Sequence, residues 1–285
     1  MNRMLRGFAA CLAALLACSA QAVELTVNAG PYVPSPQSVV ADMLKLAHVG
    51  PQDYVIDLGS GDGRIVLTAA KVFGARGFGV EIKEDLVRRA NAAAQSQGLA
   101  KRVHFVNADL FLTDISQATV LTMYLLPHTV NLLRDKLFKE LRPGTRVLSH
   151  DYPLDGWQHV EMVHMDLDDK LPISGTTTTL IFLYRVPEKV AGRWRATVPA
   201  SVHAGDIELD LEQKYTQLSG AARIAGARVP IVDGRIVGRT LSFSLRSSGA
   251  VHAFEGEVID GAAQGMVKTA GQSAAWRAHR APKSN

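Results

Sequence analysis

The sequence predicts an α/β protein, with a mostly parallel sheet covered on both faces, followed by a smaller all-β region. Three observations predict it. Short apolar runs alternate with helical patterns from Tyr54 to about Ser149. The first run breaks into a glycine-rich turn, Gly59-Ser60-Gly61-Asp62-Gly63. From Gly192 onward the helical period vanishes and short alternating strands take over. Strand–helix alternation of this kind implies parallel strands, right-handed crossovers and a ligand at the strands' carboxyl ends.

The N-terminus is different material. Arg3 and Arg6 precede an apolar run, Phe8 to Ala17, and Ala20-Gln21-Ala22 is a small-x-small cleavage site. This layout predicts a signal peptide over 1–22 and export to the periplasm or beyond. The run is too short for an ordinary membrane span, and no later stretch is long and apolar enough for one. Leu15-Leu16-Ala17-Cys18 also resembles a lipobox, which would lipidate Cys18. Both cysteines, Cys11 and Cys18, lie in this segment, so cleavage after Ala22 leaves neither disulfides nor thiol catalysis. Loss of Arg3 and Arg6 lowers the formal charge from +4 to +2. With no Lys/Arg run either, a nucleic-acid partner is not expected.

Residues 23–50 read as an extension and a helix. Pro31-Tyr32-Val33-Pro34-Ser35-Pro36 is stiff and extended, and Val39, Val40, Met43, Leu44 and Leu46 then form an apolar stripe. Residues 51–186 carry the alternation. Strands are expected over Tyr54–Leu58, Gly77–Glu81, Val103–Val106, Thr119–Tyr124 and Thr145–Ser149, and helices over Ile65–Phe73, Glu84–Gln97 and Asn131–Leu141. Glu161–Met165 and Thr178–Val186 are two more strands with no helical pattern between them, which predicts a closing antiparallel hairpin. Residues 187–280 read as an antiparallel meander, closed as a small barrel or packed as a sandwich, with turn signals such as Asp233-Gly234 and Ser248-Gly249. Residues 281–285 are a tail, with fraying expected from Arg280.

The chemistry gathers at strand ends. An acid closes the first strand (Asp57), and Gly59, Ser60, Gly61 and Gly63 follow it. Such a turn lets a ligand approach the backbone, and the helix after it favours a polar or anionic group. The dinucleotide fingerprint wants its third glycine at position 64, but that residue is Arg64 and the glycine comes one place early. Glu81 ends the second strand, Asp109 and Leu110 follow the third, and Tyr124 ends the fourth. His128, His150 and Asp151 lie near the same strand ends, although His150-Asp151 reads first as a turn. No His/Cys/Asp cluster has metal spacing, and no Gly-x-Ser-x-Gly elbow is present.

Over about Tyr32–Val186 the chain resembles the class I S-adenosylmethionine (SAM) methyltransferases, and more narrowly the lysine methyltransferases related to Dot1, including mitochondrial ones. The resemblance rests on Asp57-Leu58-Gly59-Ser60-Gly61-Asp62-Gly63, Gly79-Val80-Glu81, Asn107-Ala108-Asp109-Leu110-Phe111 and Tyr124-Leu125-Leu126-Pro127. It implies a Rossmann-like sheet with a closing hairpin and SAM as cofactor. By resemblance the glycine turn lines the methionine part, Glu81 takes the ribose hydroxyls, Asp109 takes the adenine amino group, and Tyr124 faces the transferred methyl. It implies no one acceptor; a protein lysine is one. The methyltransferases of DNA or glutamine amines carry Asn/Asp-Pro-Pro-aromatic where this chain has Tyr124-Leu125-Leu126-Pro127. Two other classes remain open: a nucleotide-dependent oxidoreductase, and an exported non-enzymatic binding protein using the β-region as a lipocalin-like cup.

Overall fold

The computed structural model describes residues 30–282. The expected signal peptide, with Cys11 and Cys18, lies outside them.

The first part is one seven-stranded sheet. In chain order its elements are α1 (Gln37–Leu46), β1 (Tyr54–Leu58), α2 (Arg64–Phe73), β2 (Arg76–Glu81), α3 (Glu84–Ser96), β3 (Val103–Asn107) and β4 (Val120–Met123). Then come α4 (Pro127–Leu132), α5 (Arg134–Glu140), β5 (Arg146–His150), β6 (Glu161–Asp166), α6 (Leu171–Ser174) and β7 (Thr178–Arg185). The strand order is β3-β2-β1-β4-β5-β7-β6. β1 to β5 run parallel, and β7 enters antiparallel between β5 and β6. The chain reverses its direction of travel across the sheet between β1 and β4, and the crevice beside their carboxyl ends is where such sheets bind ligands.

Burial explains the patterning. β1 is buried from Val55 to Leu58 because helices cover both of its faces. α1 and α2 pack on one face through Val39, Val40, Met43, Leu44, Ile65 and Ala69. β6, at the sheet's edge, alternates between exposed and half-buried residues.

The helix expected over Asn131–Leu141 starts earlier and is divided. Pro127 occupies the first turn of α4, where its missing N–H costs nothing, and Leu133 joins α4 to α5.

The second part is a closed antiparallel barrel of β8 (Gly192–Thr197), β9 (Asp206–Lys214), β10 (Gln217–Ile224), β11 (Ala227–Pro230), β12 (Val232–Val237), β13 (Thr240–Ser247), β14 (Ala250–Ile259), β15 (Ala262–Thr269) and β16 (Gln272–Arg280). Neighbours pair in a meander, β16 pairs with β8, and β9 pairs with both β8 and β10, which closes the ring. β11 and β12 are two pieces of one strand, so the ring counts eight strands.

The interior is filled. Trp194, Leu209, Leu241, Phe243, Phe254 and Trp276 meet inside, with Phe243 stacked on Phe254 at 4.7 Å. The void left among inward side chains is about 10 Å³, at the limit for a single water. A lipocalin-like cup is therefore not what the described barrel offers. Alternation marks which residues point inward, but not that two indoles and two phenyl rings would fill the space. Gly256 makes room for this, since a Cβ there would stand 2.8 Å from the Trp276 ring.

Arg280 is not frayed. Its N–H donates to the Gly261 carbonyl, its guanidinium lies 5.0 Å over the Trp194 ring, and it also donates to the carbonyls of Ala191 and Lys189. The barrel meets the sheet at Tyr215, whose ring stacks on Trp157 and whose hydroxyl donates to Asp135 at 2.5 Å.

Candidate active site

A cavity of about 360 Å³ opens at the carboxyl ends of β1, β2 and β4. Of the residues predicted to hold a cofactor, Asp57, Gly59, Ser60, Gly61, Glu81, Asp109 and Leu110 all line it, as does Tyr124. Gly63 does not. It caps α2 with φ 82°, and a Cβ there would stand 2.5 Å from the Phe105 ring. Its glycine serves helix entry and packing.

The turn is stitched to the end of β2. The N–H groups of Gly59 and Ser60 both donate to the Val80 carbonyl at 2.9 Å. The Gly61 N–H donates to Glu81 Oε2 at 3.0 Å, and the Lys83 N–H donates to Oε1 at 2.9 Å. Glu81 thus anchors the turn while facing the cavity, and each carboxylate oxygen keeps a lone pair for a ligand donor. Beside it Ser60 Oγ is buried over Gly79 with no hydrogen-bond partner among the described residues.

Asp57 is 2% exposed and accepts a 2.7 Å hydrogen bond from Thr122 on β4. Burial pushes its carboxyl up to about 7, the nearby Glu81 and Asp62 charges add to this, and the Thr122 hydroxyl opposes it. Asp109 Oδ1 accepts from the Phe111 N–H at 2.7 Å, which fixes the loop after β3 with the carboxyl on the cavity wall.

A strap over residues 30–36 forms the outer wall. Tyr32 lies over Gly61, where a Cβ would come within 2.5 Å of its ring. Arg64 ties the strap down: its Nη1 donates to the Ser35 carbonyl at 2.8 Å while Nε and Nη2 grip Asp62. The proline-rich stretch signalled an extended segment. Nothing in its composition signalled which part of the sheet it would cover.

Tyr124 forms the inner end. Its ring lies 3.9 Å, centroid to centroid, from His150, the last residue of β5. His150 is fully buried, its Nδ1 is 2.9 Å from Ser35 Oγ, and its Nε2 is 3.6 Å from Asp151 Oδ1. Burial holds its pKa down to about 4, the nearby Lys170 pushes the same way, and Asp151 pulls against them. The imidazole is therefore neutral at pH 7. Asp151 does sit at a turn, with φ 65°, and its carboxylate accepts from the buried Lys170 ammonium at 2.6 and 2.7 Å. Neither His150 nor Asp151 reaches the cavity wall, and His128 is exposed outside it. Lys170 was not singled out from sequence.

A family model described as the ANTKMT methyltransferase domain matches residues 57–161. A protein-lysine N-methyltransferase of Saccharolobus islandicus is 42% identical over 159 residues, covering 55% of this chain and 94% of that one. The adenine nucleotide translocase lysine N-methyltransferase of Mus musculus is 36% identical over 133 residues, and the chain spans 58% of its length. A solved RNA methyltransferase of Salinibacter ruber, in complex with S-adenosyl-L-homocysteine, is 44% identical with a TM-score of 0.50, covering 55% of this chain and 96% of that one.

Proposed function

The chain belongs to the class I SAM-dependent methyltransferases, and from that premise we propose that it methylates the ε-amine of a lysine in a protein acceptor. The cavity wall that carries both Glu81 and Tyr124 is the observation that supports this reading most. The fit to SAM is chemical. Glu81 keeps lone pairs for two ribose hydroxyls, the turn's backbone lies bare of Cβ atoms at Gly59 and Gly61, and Asp109 presents a carboxyl for an amino group.

When bound, SAM supplies an electrophilic methyl group on a sulfonium. The chain's own part is to position and to exclude water. The strap, Leu110 and Leu125 close the cavity with apolar surface, and Tyr124 lines it at the strand end that meets the acceptor.

Relatives named as lysine methyltransferases support the lysine acceptor. The Salinibacter ruber protein, named for RNA, supports a second reading. The formal charge of +4, with no Lys/Arg run, favours protein over RNA. Radiolabelled SAM supplied to host protein and to host RNA decides between them. Label recovered as methyl-lysine after acid hydrolysis is the expected result, and label confined to RNA overturns it.

We also propose that residues 1–22 direct export and that methylation takes place outside the cytoplasm or before transit. N-terminal sequencing of protein from its host should begin at Val23; a start at Met1 removes the export proposal.

A further inference from the structure

His150 touches two walls of the cavity without lining it. It is fully buried, and its imidazole lies 3.9 Å, centroid to centroid, from the Tyr124 ring. Its Nδ1 lies 2.9 Å from Ser35 Oγ. Both neighbours line the cavity, Tyr124 just past β4 and Ser35 in the strap. Ser35 is held twice, since its carbonyl also accepts from Arg64 Nη1 at 2.8 Å. Support for Tyr124 does not by itself call for an imidazole. An apolar ring would give it without stranding a nitrogen, whereas His150 Nε2 is buried with no hydrogen-bond partner among the described residues. The polar contact to the strap is what an apolar ring could not make.

We infer that His150 is a positioning residue that joins the strap to Tyr124, so that the acceptor end of the site takes its working shape only with the strap down. A neutral imidazole carries one proton. Asp151 Oδ1 lies 3.6 Å from Nε2, and a carboxylate favours the N–H on the nitrogen that faces it. That puts the proton on Nε2 and leaves the Nδ1 lone pair to accept from the Ser35 hydroxyl. The imidazole so fixed packs against the Tyr124 ring and limits its swing. Methyl transfer needs the amine in line with the methyl group, and a misplacement of about 1 Å is costly. The Arg64 bond to the Ser35 carbonyl holds the strap over Gly61 even without the hydroxyl. Loss of the His150 contact therefore falls on methyl transfer more than on the cofactor. This proposal deepens the lysine reading and rests on Tyr124 facing the transferred methyl.

The test uses the whole protein with its tyrosine rings labelled with carbon-13, and poly-L-lysine as acceptor probe. Tyr124→Phe assigns the Tyr124 resonance. Ser35→Ala removes the hydroxyl, and His150→Phe keeps a ring against Tyr124 while removing the nitrogen. Each should lower kcat about tenfold, with binding of S-adenosyl-L-homocysteine weakened no more than about threefold. The double variant should be no slower than either, because both changes break the same contact. Ser35→Thr, which keeps a hydroxyl, should recover most of the loss, and the Tyr124 resonance should move in Ser35→Ala. A Tyr124 resonance unmoved in Ser35→Ala, a kcat equal to wild type, or losses that multiply in the double variant overturns the proposal. Should the wild type leave poly-L-lysine unmethylated, the lysine reading fails by itself and the Tyr124 resonance in Ser35→Ala decides the role of His150. A melting temperature within a few degrees of wild type separates these outcomes from misfolding, and His150→Phe serves in place of Ser35→Ala should the latter fail to fold.

Discussion

The imidazole of His150 and the ring of Tyr124 lie 3.9 Å apart, their planes 33° from parallel. His150 comes from the end of β5 and Tyr124 from the end of β4, so the contact joins neighbouring parallel strands at the sheet's carboxyl edge. On its far side His150 meets Ser35 of the strap at 2.9 Å. One buried, neutral imidazole thus lies between the cavity's outer wall and the residue assigned to face the acceptor.

His150 and Asp57 should pull stability in opposite directions with pH. Burial holds His150 down to about 4, so between roughly pH 4 and 6.5 the unfolded chain binds a proton that the folded one refuses. Its contribution to stability therefore rises with pH across that window, by about 3 kcal/mol. Burial pushes Asp57 up to about 7, so from about pH 4 to 7 the folded chain keeps a proton that the unfolded one loses. Its contribution falls over the same range, by about 4 kcal/mol. Urea unfolding at several pH values should show a steeper rise with pH in Asp57→Asn than in wild type, and a fall in His150→Gln. Parallel curves for all three proteins would refute both assignments.

Removal of Glu81 should cost the cofactor twice. The carboxylate accepts the Gly61 and Lys83 N–H groups and faces the cavity, so its loss frees the turn as well as the ribose hydroxyls. Glu81→Ala should weaken binding of S-adenosyl-L-homocysteine by about 2–3 kcal/mol, or roughly 30- to 150-fold. Glu81→Gln, which keeps one acceptor oxygen, should lie between the two. Titration calorimetry measures both, and a dissociation constant unmoved in the alanine variant would reassign Glu81 to structure alone.

The strap can be lifted from the glycine side. Gly61 has φ 54° and lies under Tyr32, so Gly61→Ala pays about 1 kcal/mol for the left-handed backbone and also displaces the ring. Gly98, at φ 71° with nothing within 4 Å of an added Cβ, is the matched control. Both variants should bear the backbone cost, and Gly61→Ala should lose more stability by whatever the displaced ring adds. Only Gly61→Ala should expose residues 30–36 to limited proteolysis and weaken cofactor binding. Equal protection in the two would mean that Tyr32 does not seal the cavity.

Much of the site was legible because it is local. A glycine turn after a buried strand, and acids closing successive strands, are patterns within a few residues of one another. Parallel strands then bring Asp57, Glu81 and Asp109 to one edge without further information. Gly63 shows where such patterns stop: the motif gives its spacing, while the side on which it packs depends on Phe105, 42 positions away. The Ser35–His150 bond spans 115 residues, and the Asp151–Lys170 pair crosses the closing hairpin. No periodicity encodes such partners.

By itself, then, the sequence determined the α/β sheet with its antiparallel hairpin, the β-rich second part, and the acids and glycines of the cofactor turn. Each follows from local steric freedom and from hydrophobic period. Tertiary structure alone decided that the barrel closes with β9 against β10 and fills with its own aromatics, because closure and packing depend on volumes summed over strands far apart in the chain. It alone also decided that a neutral histidine joins Tyr124 to the strap and that a buried lysine pairs with Asp151 next to it. Charge burial and ion pairing are settled by where the backbone carries a group, and side-chain identity says only that it could be charged.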